Sequence, residues 1–121
     1  ELHSSQAAIN GNVELIVTAL RHIIENAIDF TPEGGSIQID LYTEAPYWVL
    51  DIRDTGIGIA AEHLPKIFDR FYRVDQSGIR LGFGLGLTIA KKIIELHLGM
   101  IEVLSEEGTG TLFRLRFPAE H

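Results

Sequence analysis

Three glycines alternate with bulky apolar residues at Gly82, Phe83, Gly84, Leu85, Gly86 and Leu87, directly ahead of a helical run. Each glycine weakens a helix by about 1 kcal/mol relative to alanine, so the pattern needs a local reason. Lacking Cβ, glycine lets the main chain come close to a ligand or take positive φ. The following helix offers unpaired N–H groups and the positive end of its dipole, which together suit phosphate. By itself the stretch equally describes a hinge or a tight helix start. A second stretch, Asp54, Thr55, Gly56, Ile57, Gly58 and Ile59, puts a carboxylate at the end of an apolar strand. A buried carboxylate needs a donor. The exocyclic amine of a nucleobase would supply one, with Ile57 and Ile59 as apolar wall; a turn Asp bonding its own backbone is the plainer alternative. Asn26 carries a neutral amide oxygen suited to Mg²⁺. His22 lies one helical turn before it, and a solvent-facing polar edge would explain both equally well. Residues 66–73 combine Phe68 and Phe71, spaced to anchor the segment, with Arg70 and Arg73, which could reach phosphate as charged donors. Core packing with surface charge is the alternative there. Gly108, Thr109, Gly110 and Thr111 alone read as a hairpin turn.

The elements that must position these residues follow from the hydrophobic pattern. Ile16, Leu20, Ile23, Ile24, Ala27 and Ile28 recur at helical spacing and predict a helix over residues 13–30, with Asn12 as N-cap and Glu14 in its first turn. Thr31, Pro32, Glu33, Gly34 and Gly35 end it. Residues 36–43 and 47–53 read as two strands of a hairpin joined at Ala45 and Pro46. A short helix is expected over 61–68 and a polar, glycine-containing stretch over 75–81. A second long helix is expected over 85–97, with Gly99 at its C′ position. Strands over 101–105 and 111–117 close the chain. Residues 1–8 are weakly patterned. The order predicts an α+β sandwich with its sheet covered on one face.

The chain has 121 residues, enough for one domain, and 45% of them are hydrophobic. A net charge of −7 argues against non-specific nucleic-acid binding, which needs clustered Lys and Arg. Any phosphate must be held locally, by backbone N–H groups, a bridging cation and a few placed basic side chains. No apolar run approaches the roughly 20 residues that span a bilayer. Cysteine is absent, which excludes disulfides and thiolate metal sites. No histidine spacing suggests zinc; His97 reads as a helix C-terminal residue, and His3, His63 and His121 as surface residues.

Taken in order, the motifs resemble the ATP-binding catalytic domain of sensor histidine kinases, in the superfamily shared with Hsp90, DNA gyrase and MutL. Glu25, Asn26, Ala27, Phe30, Thr31 and Pro32 resemble the N box. Residues 54–58 resemble the G1 box, 67–73 the F box, 82–87 the G2 box, and 108–111 the final glycine turn. The F box followed by G2 points to the kinase branch, and the match runs from about Ile9 to Pro118. The implied fold is a Bergerat-type sandwich, with a mixed, mostly antiparallel sheet. The resemblance implies that ATP and Mg²⁺ bind here, with Asn26 as metal ligand and His22 in support. Asp54 would accept from the adenine amine, and Gly58 would let the base lie close. Arg73 would approach the γ-phosphate and, with Asn26, serve the catalytic step. Gly84, Gly86 and the helix start after them would hold the phosphate chain, and residues 75–81 would form the ATP lid. Gly56, Ile59, Gly82, Leu85, Leu87 and Thr111 complete the implied nucleotide-contacting set. The implied partners are a dimerisation domain bearing the phospho-acceptor histidine and a downstream response regulator. The domain itself is expected to be monomeric and cytoplasmic, without direct membrane contact.

Three departures stand out. The family usually has a basic residue three positions after the N-box Asn, where this chain has Asp29. No phospho-acceptor box of the His-Glu-x-x-x-Arg-Thr-Pro kind is present. A further helix and strand usually precede the segment matching residues 1–10, so the chain reads as a single catalytic domain lacking its first elements. Phe83, within G2, stands where small residues are common. A degenerate nucleotide-binding or protein-docking module without kinase activity is the alternative reading. A serine kinase resembling anti-sigma factors is opposed by the F box. An ATPase of the Hsp90 branch would need Glu25 to activate water, yet a helical neighbour of Asn26 points about 100° away from it.

Overall fold

The computed structural model describes residues 12–76, 79–82 and 85–119, with the backbone alone over 73–76 and 79–82. The first helix, α1, spans Val13–Phe30 as the periodicity predicts, and the Asn12 side chain accepts from the Leu15 N–H at 3.1 Å. One face of α1 buries Ala19, Ile23, Asn26, Ala27 and Phe30. Strands β1 (Ile37–Glu44) and β2 (Tyr47–Asp54) form the expected hairpin. Two more strands, β3 (Arg73–Gln76) and β4 (Ile79–Gly82), make a separate two-stranded ribbon. Helix α2 spans Gly86–Leu96, followed by β5 (Met100–Glu106) and β6 (Gly110–Pro118).

The main sheet has the order β1-β2-β6-β5. Among the described residues its three pairings are antiparallel, in line with the expected mostly antiparallel sheet. Strand alternation directs Ile39, Ile52, Phe113 and Val103, one on each strand in mutual register, toward the helices. With Ile23, Ala27, Leu87, Ala90 and Ile94 they form one core between sheet and helices. Burying each such side chain fully contributes roughly 1.5–3 kcal/mol.

Two local expectations differ from the structure, and the stretch expected as a lid gains a strand pair. The segment expected as a helix over 61–68 is a 3-10 turn at Leu64–Lys66 with bonds such as Lys66 N–H to His63 O at 2.9 Å. Pro65 has no N–H, so an α-helical ladder cannot run through it. The stretch expected as a lid contains the β3–β4 ribbon. The end of α2 is built on Leu98, at φ 62°, rather than on Gly99. Leu98 N–H bonds Glu95 O at 3.0 Å and Gly99 N–H bonds Ile94 O at 2.9 Å, a Schellman motif with leucine in the left-handed position. Gly99 is needed for room, since a Cβ there would lie 2.7 Å from Arg116 O.

The face of the sheet away from the helices carries a polar network. Arg114 donates to Asp51 twice, Nε to Oδ1 at 2.8 Å and Nη2 to Oδ2 at 3.0 Å, and the Tyr42 hydroxyl donates to Oδ2 at 3.0 Å. Burial pushes the Asp51 carboxyl up, but the bonds from Arg114 and Tyr42 and the charges of Arg114 and Arg53 bring it below its ordinary value. A depressed carboxylate contributes stability above the ordinary carboxylate range, and that stability is lost as pH falls through the folded value. Arg114→Met leaves Asp51 buried without its counter-ion and is expected to cost about 3 kcal/mol at neutral pH. Urea denaturation should show that loss shrinking as acid protonates Asp51. A loss independent of pH would mean that packing, not charge, sets the cost.

Candidate functional site

Antiparallel packing of α1 and α2 builds the site. At one end His97 joins them: its Nδ1 lies 2.8 Å from Ile93 O and its Nε2 accepts from the Asn12 N–H at 2.9 Å. This is the neutral tautomer with the proton on Nδ1, since Nε2 must accept. The histidine expected merely to close α2 therefore also ties down the start of α1. At the other end His22 faces the start of α2, and a Cβ on Gly86 would sit 3.3 Å from His22 Nδ1. A side chain at Gly86 would therefore be tight against the His22 ring. Leu85 is the N-cap and supplies no capping side chain. Thr88 does not turn back to cap either, because its hydroxyl donates to Phe68 O at 2.6 Å. The first amides of an 11-residue helix are thus uncapped by any side chain among the described residues.

Asn26 lies one turn along α1 from His22, on the buried face, with 9% exposure. Its Oδ1 is fully buried with no hydrogen-bond partner, the one such side-chain atom among the described residues. A buried amide oxygen left unsatisfied costs about 1–3 kcal/mol. A neutral, hard oxygen donor of this kind fits Mg²⁺, which takes few protein ligands and retains waters.

Asp54 closes β2 at 3% exposure. Its Oδ1 accepts from the Gly56 N–H at 2.8 Å. Burial raises its pKa, and backbone N–H bonds from Gly56 and Thr111 offset part of the rise. A carboxylate has about four lone-pair positions, so acceptor capacity remains for a ligand. The turn reading of Asp54 and the ligand reading are therefore compatible.

The loop after Asp54 is clamped by three elements. Ile57 N–H donates to Phe30 O at 3.1 Å, at the end of α1. Gly108 N–H donates to Ile57 O at 2.7 Å, from the β5–β6 turn. Thr55 N–H donates to Ser36 O at 3.1 Å, at the start of β1. These clamps explain the glycines. A Cβ at Gly56 would lie 2.2 Å from Phe30 O, and one at Gly58 (φ +74°) 2.2 Å from Glu106 O. Gly58 is thus required by a neighbouring backbone, whatever lies on its other side. Ser105, passed over in the sequence as one more strand residue, locks the arrangement. Its Oγ accepts from the Ile59 N–H at 2.7 Å, donates to Gly110 O at 3.0 Å and lies 2.8 Å from the Thr111 hydroxyl. The signal was a polar residue on the inward face of β5, in register with Thr111 and, across β6, with Asp54.

Ile59 and Leu87 are each 1% exposed and belong to the core, so they form the packed floor behind the site rather than an open wall. Leu85 is half exposed at the α2 start. Phe68 packs edge-on to Phe113, with ring centroids 6.5 Å apart, and under Lys91. Phe71 does not anchor: it is 66% exposed at φ 60°. His63, expected at the surface, pairs with the Tyr72 hydroxyl at 2.7 Å. Gly82 ends β4, while the Arg73 side chain and Gly84 lie outside the described residues. A cavity of about 430 Å³ borders Asp54, Thr55, Ser105 and Thr111 and extends beside Arg53, Leu104 and Leu112, which alternate onto the sheet face away from the helices.

A helix pair bearing a buried Asn with an unpartnered Oδ1 and an uncapped helix start lies over an antiparallel sheet that ends in a clamped Asp, an α+β architecture. Solved structures share the fold. The mycobacterial sensor histidine kinase MprB superposes with a TM-score of 0.83 at 28% identity, over 93% of this chain and 77% of that one. The catalytic domain of histidine kinase ThkA does so at 0.82 and 28% identity, over 98% and 76%. The pattern of the histidine kinase-, DNA gyrase B- and HSP90-like ATPase family matches residues 11–121, and the chain belongs to that family. Among curated relatives, the sensor protein SrrB of Staphylococcus aureus is 48% identical over 82% of this chain and 17% of its own length. Histidine kinase P4 of Formosa agariphila is 43% identical over 80% of this chain and 7% of its own. The chain therefore spans less than a fifth of either relative. No helix among the described residues is long and apolar enough to cross a membrane.

Proposed function

We propose that this domain binds ATP with Mg²⁺ between α1, the 55–59 loop and the start of α2. It then presents the γ-phosphoryl to a histidine on a separate helical domain of a two-component sensor kinase. The buried, partnerless Oδ1 of Asn26 carries the reading, because it is an oxygen that a cation would satisfy. Asn26 would hold the metal, with His22 beside it. Bound Mg²⁺ would screen phosphate charge. The uncapped amides of α2 would take phosphate oxygens, and Asp54 would accept from the adenine amine. Arg73, Gly82, Gly84, Gly86 and Thr111 complete the proposed contacts. In the transfer, the bond from γ-phosphorus to the β–γ bridging oxygen breaks, a bond to an imidazole nitrogen forms, and ADP leaves. Such chemistry depends on positioning and charge neutralisation, so no general base is assigned to this chain. The acceptor domain and a response regulator are the proposed partners, and the cytoplasm, where ATP is available, the proposed location.

Asn26→Ala tests the reading through opposite effects. It removes an unsatisfied buried oxygen and should leave the metal-free domain at least as stable in urea. It should also weaken ADP binding in MgCl₂ about tenfold or more by calorimetry, with little effect in EDTA. Equal affinity in both proteins overturns the metal role. A folded wild-type domain that binds no ADP favours a docking module without kinase activity.

A further inference from the structure

Asp29 follows Asn26 by three residues, on the side of α1 that also carries His22. It lies in the last turn of the helix, where the dipole presents its negative end and a carboxylate is unfavourable. That turn contains no basic residue. Asp29 is exposed and has no hydrogen-bond or ion-pair partner among the described residues. The acid is thus left uncompensated one turn from the buried, partnerless Oδ1 of Asn26. Those two observations are independent: an unpaired carboxylate and an unpartnered amide oxygen, i and i+3 on one helix, are both groups that a cation would satisfy.

We infer that Asp29 is a positioning residue that makes nucleotide binding strictly dependent on a divalent cation, an inference that rests on the nucleotide reading above. Without a cation, Asp29 repels the diphosphate from one helical turn away. With one, the carboxylate, the Asn26 oxygen and the phosphates share a positive charge, and the carboxylate can accept from the cation's waters. The repulsion then becomes a favourable link between metal and nucleotide. A basic side chain here would instead neutralise phosphate directly and make the metal partly redundant.

The test is calorimetric titration of ADP into the full chain, once in MgCl₂ and once in EDTA, for the wild type, Asp29→Asn and Asp29→Lys. Glu14→Gln, in the first turn of α1, is the control. Affinity in EDTA should rise about tenfold in Asp29→Asn and further in Asp29→Lys. Affinity in MgCl₂ should stay level or fall, so the ratio of the two drops at least tenfold. Glu14→Gln should keep the wild-type ratio. Both Asp29 variants remove an acid from a helix C-terminus and should unfold at no lower urea concentration than the wild type. Ratios within twofold across all four proteins overturn the role of Asp29 while leaving the nucleotide site standing. Absence of ADP binding by every folded protein, in either buffer, overturns the nucleotide reading and this inference together.

Discussion

Asp54→Asn should reduce ADP affinity about 100-fold and leave the domain folded. The expected loss follows from what the amide cannot do. In the native chain one carboxylate oxygen is committed to the Gly56 N–H, and a Thr111 backbone N–H also bonds the group. An amide can keep one acceptor, but its other atom is an N–H₂ donor, which would face the adenine amine in the proposed site. Two donors then meet in a buried site, and such mismatches are strongly rejected. The same change should invert base preference. Inosine diphosphate carries a carbonyl in place of the amine, so the variant should favour it over ADP where the wild type does the reverse. Stability should move the other way from affinity. Burial raises the Asp54 pKa in the fold, with partial relief from Gly56 and Thr111. A raised carboxylate contributes most to stability below the ordinary carboxylate range, and that contribution is lost as pH rises through its folded value. Ionised Asp54 is therefore a net burden at neutral pH, which asparagine removes. Urea midpoints should favour the variant at pH 7, with the advantage fading near pH 4. Unchanged base preference would remove Asp54 from the adenine site, whatever the stability result.

The second large effect is structural. Gly58→Ala should destabilise the domain by about 2–5 kcal/mol. A Cβ there would lie 2.2 Å from Glu106 O and 2.7 Å from Glu106 C, both backbone atoms held in the β5–β6 hairpin. Overpacking against backbone typically costs about 1–3 kcal/mol, and the left-handed conformation at φ +74° adds about 1–2 kcal/mol for a residue with a side chain. Gly108→Ala is the matched comparison. Gly108 also has positive φ, at +86°, but a Cβ there meets nothing within 4 Å. It should cost only the conformational part, about 1–2 kcal/mol. Similar urea midpoints for the two variants would mean that conformation alone explains both glycines. Because the loop carrying Gly58 also seats Asp54, the Gly58 variant should lose ADP binding as a consequence of unfolding, and a stabilising osmolyte should restore part of it.

The elements that local periodicity encodes were legible without coordinates. Helix α1, both β-hairpins of the main sheet and α2 lie within a residue or two of their expected bounds, because each carries an apolar face repeating at 3.6 or 2 residues. The order of glycine, Asn and Asp motifs was likewise enough to indicate the family, since each motif draws on properties of single residues: a missing Cβ, a neutral oxygen, a carboxylate at a strand end. Where one local rule competed with another, the outcome needed the structure. Pro65 broke a predicted helix, and Leu98 took the left-handed position expected of Gly99, because room beside Arg116 O was the scarcer requirement. What single residues face across the fold was not legible at all. That Asn26 Oδ1 is buried without a partner, that Gly58 is needed by Glu106, that Ser105 braces Ile59, and that His97 ties α2 to Asn12 all depend on contacts between residues far apart in sequence. Composition and spacing determine which groups a chain can offer; only packing decides which of them are already satisfied and which remain for a ligand.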